Sequence, residues 1–170
     1  WTKPAMASIM TSRHVSGHQT MAKTSVLPET LPTIASILKE KSIQTGAVVT
    51  NYNLDSSFGF ARGFDHFDYL EPDRYLNAPP RANKLALYNI FRLLKERLLP
   101  QTRKARHFYQ SGREVNARGL KILASFQKKP ERPFFLWLHY MEPHDPYFSA
   151  EGPSYARVSH PHPPKQWAVP

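Results

Sequence analysis

The chain has 170 residues, enough for one domain or part of one, and 23 Lys and Arg against 13 Asp and Glu give it a formal net charge of +10. An apolar fraction of 41% with 12% aromatics fills a core and excludes a wholly disordered chain, and the longest apolar run, Phe134–Leu138, falls far short of a membrane span. The absence of cysteine excludes disulfides, thiolate zinc sites, thiol catalysis and any cofactor made by modifying a cysteine, and leaves the redox compartment open. With Trp1 in place of an initiator Met and no apolar leader, the chain is expected to be an internal piece of a longer reading frame.

In chain order, Trp1-Thr2-Lys3-Pro4 reads as a loop feeding a helix. Thr2 is placed to cap it and Pro4 suits its first turn, with Met6, Ile9, Met10 and Arg13 along one face and Gly17 as terminator. Residues 31–41 set Leu31, Ile34, Ala35 and Leu38 at i, i+3, i+4 and i+7, a face that docks a helix on a sheet. Gly46–Thr50 is a short run with β-branched residues, broken by Asn51, Asn53 and Asp55 as where a strand enters a loop. From Phe58 to Tyr69 an aromatic recurs every two to four residues beside two glycines, which predicts a packed loop.

Residues 83–99 hold Leu87, Ile90, Phe91, Leu94 and Leu98 on one helical face, and residues 113–128 do the same with Val115, Gly119, Ile122, Leu123 and Phe126. Pro133–Tyr140 is nearly continuous apolar sequence, the pattern of a strand covered on both faces. Beyond it lies a polar turn to Tyr147, and from Glu151 five prolines and two histidines mark an irregular surface segment. Helices alternating with buried strands predict an α/β fold: a mixed, mostly parallel sheet with helices on both faces, incomplete here, over residues 1–150, then an irregular segment over 151–170. Ligands gather in such sheets beyond the carboxyl ends of the strands, where the loops at Asn51–Asp55 and His139–Tyr147 fall.

Two clusters carry candidate chemistry. Thr2 heads a helix, where a hydroxyl meets unpaired backbone N–H groups and the positive end of the dipole; it reads as a seat for an oxyanion or as an ordinary N-cap. His139, Glu142, His144 and Asp145 stand within seven residues of one another, a pattern that ligates metal, handles protons or simply ties a hydrogen-bonded turn. His160 and His162 read as exposed. The basic excess is spread along helix faces and favours anionic partners in general, with no helix-turn-helix, zinc-finger or RNA-binding signature for specific nucleic-acid recognition.

Taken in order, four segments resemble the sulfatase branch of the alkaline phosphatase superfamily. Thr2-Lys3-Pro4-Ala5-Met6 through Thr11-Ser12-Arg13 is similar to the nucleophile segment, Cys or Ser, any residue, Pro, Ser, any residue, then a helix ending Leu-Thr-Gly-Arg, and Thr2 falls on the nucleophile. His14–His18 is similar to the Pro-x-x-His-Gly loop that follows. Ile34–Thr45, the strand after it and Phe58–Phe67 resemble the progression that ends in Gly-Phe-Asp. Pro133–Tyr147 is close to the Pro-Phe-Phe, strand, Pro-His-x-Pro element.

The resemblance implies an alkaline phosphatase-like fold and a hydrolase of sulfate or phosphate esters, acting on an anionic ester through a metal-bound nucleophile. Thr2 would be nucleophile and metal ligand, and His144 would bind a substrate oxygen or assist the leaving group. Lys3 would add positive charge, and Asn51, Asn53 and His139 would face substrate, although both asparagines are equally good turn formers. The metal would be calcium, zinc or manganese.

The departures are specific. Threonine cannot supply the formylglycine aldehyde of most sulfatases, so formylglycine is not expected, and a Thr nucleophile resembles that of phosphoethanolamine transferases, lipoteichoic acid synthases and nucleotide phosphodiesterases. Met6 replaces an Arg, and Thr50–Asn53 replaces a Gly-Lys-x-His loop. The family's metal-binding carboxylates have no counterpart in the sequence, so the chain by itself is expected to be inactive. A non-catalytic basic binding module is the alternative of a different class. A fragment of a larger sheet is also expected to expose apolar edges and to dissolve poorly.

Overall fold

A computed structural model of the chain describes residues 1–73, 85–98 and 109–141, apart from the side chains of Arg92 and Glu96. In order, the elements are α1 (Thr2–Thr11), α2 (Val15–His18), α3 (Ile34–Glu40), β1 (Gln44–Val49), two 3-10 turns (Tyr52–Leu54 and Ser56–Phe58), β2 (His66–Tyr69), α4 (Ala86–Leu98), α5 (Gly112–Phe126) and β3 (Phe134–Leu138). The three strands form one sheet in the order β2-β1-β3. Both pairings are parallel, with Gly46 opposite His66 on one side and Leu136 on the other. The mostly parallel sheet expected from sequence is all-parallel among the described residues.

Strand alternation sorts the core into two layers. Ala47 and Val49 of β1 point to the face covered by α1 and α3, where they join Ala7, Met10, Leu27, Ala35, Leu54, Phe60 and Phe64. Phe135 and Trp137 of β3 and Phe67 and Tyr69 of β2 share that face. Val48 turns the other way, toward Val115, Ile122 and Phe126 of α5 and toward Leu136 and Leu138 of β3. Period-2 geometry on the strands thus builds helices on both faces of one sheet, as predicted. The helix α5 lies close because two glycines admit it: a Cβ at Gly46 would come within 2.6 Å of Ile122, and one at Gly119 within 3.0 Å of Leu138.

Three local expectations are corrected. The stretch Phe58–Tyr69 is a loop only to Asp65, because His66–Tyr69 pairs with β1 as a strand; four residues alternating polar and aromatic carry a weak signal, yet the alternation matches an edge strand. Ile9 is exposed instead of sharing the buried face of α1, which runs through Lys3, Ala7, Met10 and Thr11. The helix α4 forms, but Leu87, Ile90, Phe91, Leu94 and Leu98 on its apolar face are all exposed.

Side chains lock the remaining joints. Thr33 and Ser36 form a reciprocal capping box at the head of α3, and the Thr33 hydroxyl also donates to the Arg62 carbonyl at 2.9 Å. The Gln44 amide donates to carbonyls of Phe126, Lys129 and Arg132, tying the start of β1 to the end of α5 and its turn. Asp65 accepts from the backbone and hydroxyl of Thr45 and pairs with Lys39 at 2.9 Å. Burial pushes the Asp65 carboxyl up, but the bonds to Lys39 and Thr45 outweigh it and hold the pKa below the ordinary value.

Candidate active site

The carboxyl ends of β1 and β3 meet in a small polar network. The His139 amide donates to the Val48 carbonyl, and the Thr50 hydroxyl donates to the His139 carbonyl at 3.2 Å. The Asn51 side-chain oxygen accepts from the Asn53 backbone at 2.9 Å and from the Asn53 amide at 3.1 Å, while its own amide reaches the Met141 sulfur at 3.4 Å. Asn51 thereby caps the first 3-10 turn, and of the two readings the sequence left open for this pair the turn is the one built. Each amide keeps one N–H beyond these bonds.

His139 is half-buried, edge-on to Trp137, and its Nδ1 is buried without a hydrogen-bond partner among the described residues. Burial pushes its pKa below the ordinary histidine value, outweighing the opposite pull of its own backbone, and this favours the neutral ring. A neutral imidazole with one unsatisfied nitrogen can accept a proton or a hydrogen bond, but carries no positive charge toward an anion.

Thr2 is the first residue of α1, with Trp1 in the N-cap position and no capping side-chain bond. The expected alternative for Thr2, an ordinary N-cap, is corrected: the residue is half-buried and its hydroxyl has no partner among the described residues. Thr2 and Lys3 also hold the free backbone N–H groups of the first turn, since Ala5 already bonds the Trp1 carbonyl and Pro4 has no N–H.

Lys3 does not reach outward as expected. It is 0% exposed, its ammonium donates to the carbonyls of Lys23 and Ser25, and it sits 3.2 Å above the Phe58 ring. Burial lowers its pKa, and the carbonyls and the ring face saturate the charge, so it anchors the head of α1 instead of meeting substrate. Phe58 in turn lies edge-on to Tyr52, and Tyr52 to Tyr69 at the end of β2. This chain of contacts ties the head of α1 to the same sheet edge that carries Asn51, Asn53 and His139.

His144, with Glu142 and Asp145, lies outside the described residues, as does the segment 151–170. Among the described residues no three His, Asp or Glu side chains gather as metal ligands, so these residues do not by themselves fit a divalent metal beside Thr2. Thr50 and Tyr52 escaped the sequence reading, although their places on either side of Asn51 were a signal.

One buried pair resembles a catalytic dyad and is not one. His18 is 0% exposed, and its Nε2 lies 2.9 Å from the Ser8 hydroxyl, but its Nδ1 accepts the Thr20 backbone N–H. The proton therefore sits on Nε2 and is donated to Ser8, the wrong tautomer for a base that activates a hydroxyl. The pair fastens α2 to α1. Two clefts, of about 340 and 400 Å³, open at the amino ends of the strands around His66 and Ser125, away from Thr2 and Asn51.

Comparison with known proteins completes the picture. The family profile described as Sulfatase matches residues 1–167. No curated protein sequence matches the chain significantly. Among solved structures, the chain is similar to BT4656 in complex with its substrate D-glucosamine-2-N,6-O-disulfate, with a TM-score of 0.50, 14% identity, and coverage of 85% of this chain and 25% of that one. A protein in the alkaline phosphatase superfamily from Vibrio parahaemolyticus aligns with a TM-score of 0.48 and 19% identity, over 91% of this chain and 32% of that one. The chain thus spans a quarter to a third of the length of these solved relatives.

Proposed function

Because the chain belongs to the sulfatase family, we propose that it is the nucleophile-bearing part of a hydrolase of sulfate or phosphate esters, with Thr2 as the attacking group. The observation that supports this best is the Thr2 hydroxyl, unpartnered among the described residues at the head of α1, in a segment that resembles the family's nucleophile segment. BT4656 has a sulfated sugar as its substrate; for this chain the proposed substrate class is an anionic ester in general, and the free N–H groups of Thr2 and Lys3 would bind one of its oxygens.

In the proposed reaction the Thr2 hydroxyl releases its proton to solvent water as its oxygen bonds to sulfur or phosphorus and the bond to the alcohol oxygen breaks. The departing alkoxide takes up a proton, for which His144 is the proposed source. Water then cleaves the threonine ester, returning the hydroxyl and releasing sulfate or phosphate from a monoester, or a phosphate monoester from a diester. Asn51 and Asn53 would offer their remaining amide N–H groups to the anion, and neutral His139 would accept a hydrogen bond at the floor of the site. Divalent metal of the family's kind would lower the charge on the ester, although the described residues do not gather its ligands.

Threonine favours the phosphoryl version, since a hydroxyl nucleophile serves phosphotransfer directly, whereas most sulfatases require an aldehyde that threonine cannot form. The test uses the complete protein that contains this chain, assayed on an aryl sulfate and an aryl phosphodiester. Thr2→Ala is expected to lower turnover roughly a thousandfold or more with an unchanged melting temperature. Full turnover in Thr2→Ala would overturn the nucleophile assignment, and a strong preference for the sulfate would overturn the phosphoryl version.

A further inference from the structure

The helix α4 presents an apolar face that nothing in the described structure covers. Leu87 is 81% exposed and Leu98 70%, with Ile90, Phe91 and Leu94 exposed between them. At 3.6 residues per turn these five side chains form one stripe along 13 residues, about 20 Å of helix. Lys95 and Arg97 stand roughly 80° to either side of the stripe's centre, one on each flank. Asn89 and the backbone positions of residues 92 and 96 lie opposite.

Charge distinguishes this face from an ordinary core face. Between Lys84 and Arg106 the sequence holds Lys84, Arg92, Lys95, Arg97, Arg103, Lys104 and Arg106 against the single acid Glu96. A helix destined for a protein interior places its cations on the face opposite the stripe, where they stay in water. Here two cations border the stripe itself, where long stems lie along apolar material and carry their charges up to an anionic layer. The helix is also too short to cross a bilayer, and among the described residues no helix is long and apolar enough to do so.

We propose that α4 is an interfacial helix that lays the Leu87, Ile90, Phe91, Leu94 and Leu98 stripe into the surface of an anionic lipid bilayer, with Lys95 and Arg97 at the headgroups. The partner is a membrane surface because apolar contact and flanking positive charge are demanded together, and anionic lipid supplies both. Resting on the proposed function, such a helix would hold a hydrolase beside esters displayed on a lipid or cell surface.

The experiment is flotation of the complete protein with vesicles of phosphatidylcholine alone and of phosphatidylcholine with 30% phosphatidylglycerol, at low and high salt. Binding to the anionic vesicles that falls with salt is expected, with little binding to the neutral ones. Lys95→Glu/Arg97→Glu is expected to weaken binding roughly tenfold or more, and Leu87→Glu/Leu94→Glu to abolish it with the melting temperature unchanged. Absence of binding to anionic vesicles overturns the proposal, as does a Leu87→Glu/Leu94→Glu protein that still binds. A drop of several degrees in that variant's melting temperature shows the stripe buried against the rest of the protein and also overturns it. A dimer that the same variant converts to monomer assigns the stripe to a second copy, with the same consequence.

Discussion

At the scale of single residues, environment decides what each polar group can do, and the sequence supplies only its identity. His139 was legible as a candidate because it ends a nearly continuous apolar strand, but its neutral state comes from burial, which no spacing reveals. The unfolded imidazole takes up a proton as pH falls through about 6.5, while the buried ring in the folded chain resists until lower pH, so stability present above that value is lost on acidification. His139→Gln removes this contribution, and the fall in melting temperature between pH 7 and pH 5 is expected to be shallower than in the parent chain. An equal slope in both would show that His139 is not a source of the pH dependence. Lys3 is the opposite case: its place next to Thr2 suggested a substrate contact, but its partners, the carbonyls of Lys23 and Ser25, lie some twenty residues away in sequence and left no mark near it.

At the scale of elements, periodicity located α3, α5, β1 and β3, and tertiary contact set their limits and missed β2. The junction between α3 and the turn before β2 shows why. Gly63 has a φ of +89°, and a Cβ there would lie 2.1 Å from the Ser36 nitrogen and 2.5 Å from the Ala35 carbonyl carbon. The obstructing atoms are backbone, held by the capping box and by the Thr33 bond to the Arg62 carbonyl, so they cannot give way as a side-chain tip would. Gly63→Ala is therefore expected to destabilise the chain by about 3 kcal/mol or more, from left-handed strain and the clash together, read as a lowered denaturant midpoint. Substitution at Gly17, where among the described residues a Cβ meets only the Arg13 Cβ at 3.6 Å, is the mild comparison. The glycines were visible in the sequence as turn formers; the neighbour that makes one of them indispensable was not.

For the molecule as a whole, the sheet is the organising object. All six residues of β1 are buried between two neighbours and two layers of helix, whereas α4 keeps its apolar stripe exposed. Hydrogen exchange in the intact chain is expected to follow this order, with β1 amides opening only in global unfolding and α4 amides exchanging orders of magnitude faster. Equal protection of the two elements would show that α4 is covered. The layer architecture and the mostly parallel sheet were legible because alternation of helix and strand dictates them, and the strand order and register were not, because partner choice is a non-local property. The head of α1 carries a last consequence of this architecture. With its amine enclosed by two carbonyls and an aromatic face, Lys3 is withdrawn from covalent chemistry: reagents that acylate lysines meet it only in molecules whose first helix has come away from residues 23–25 and Phe58. The proposed nucleophile thus has beside it a built-in reporter, silent while its surroundings are assembled and reactive once they are not.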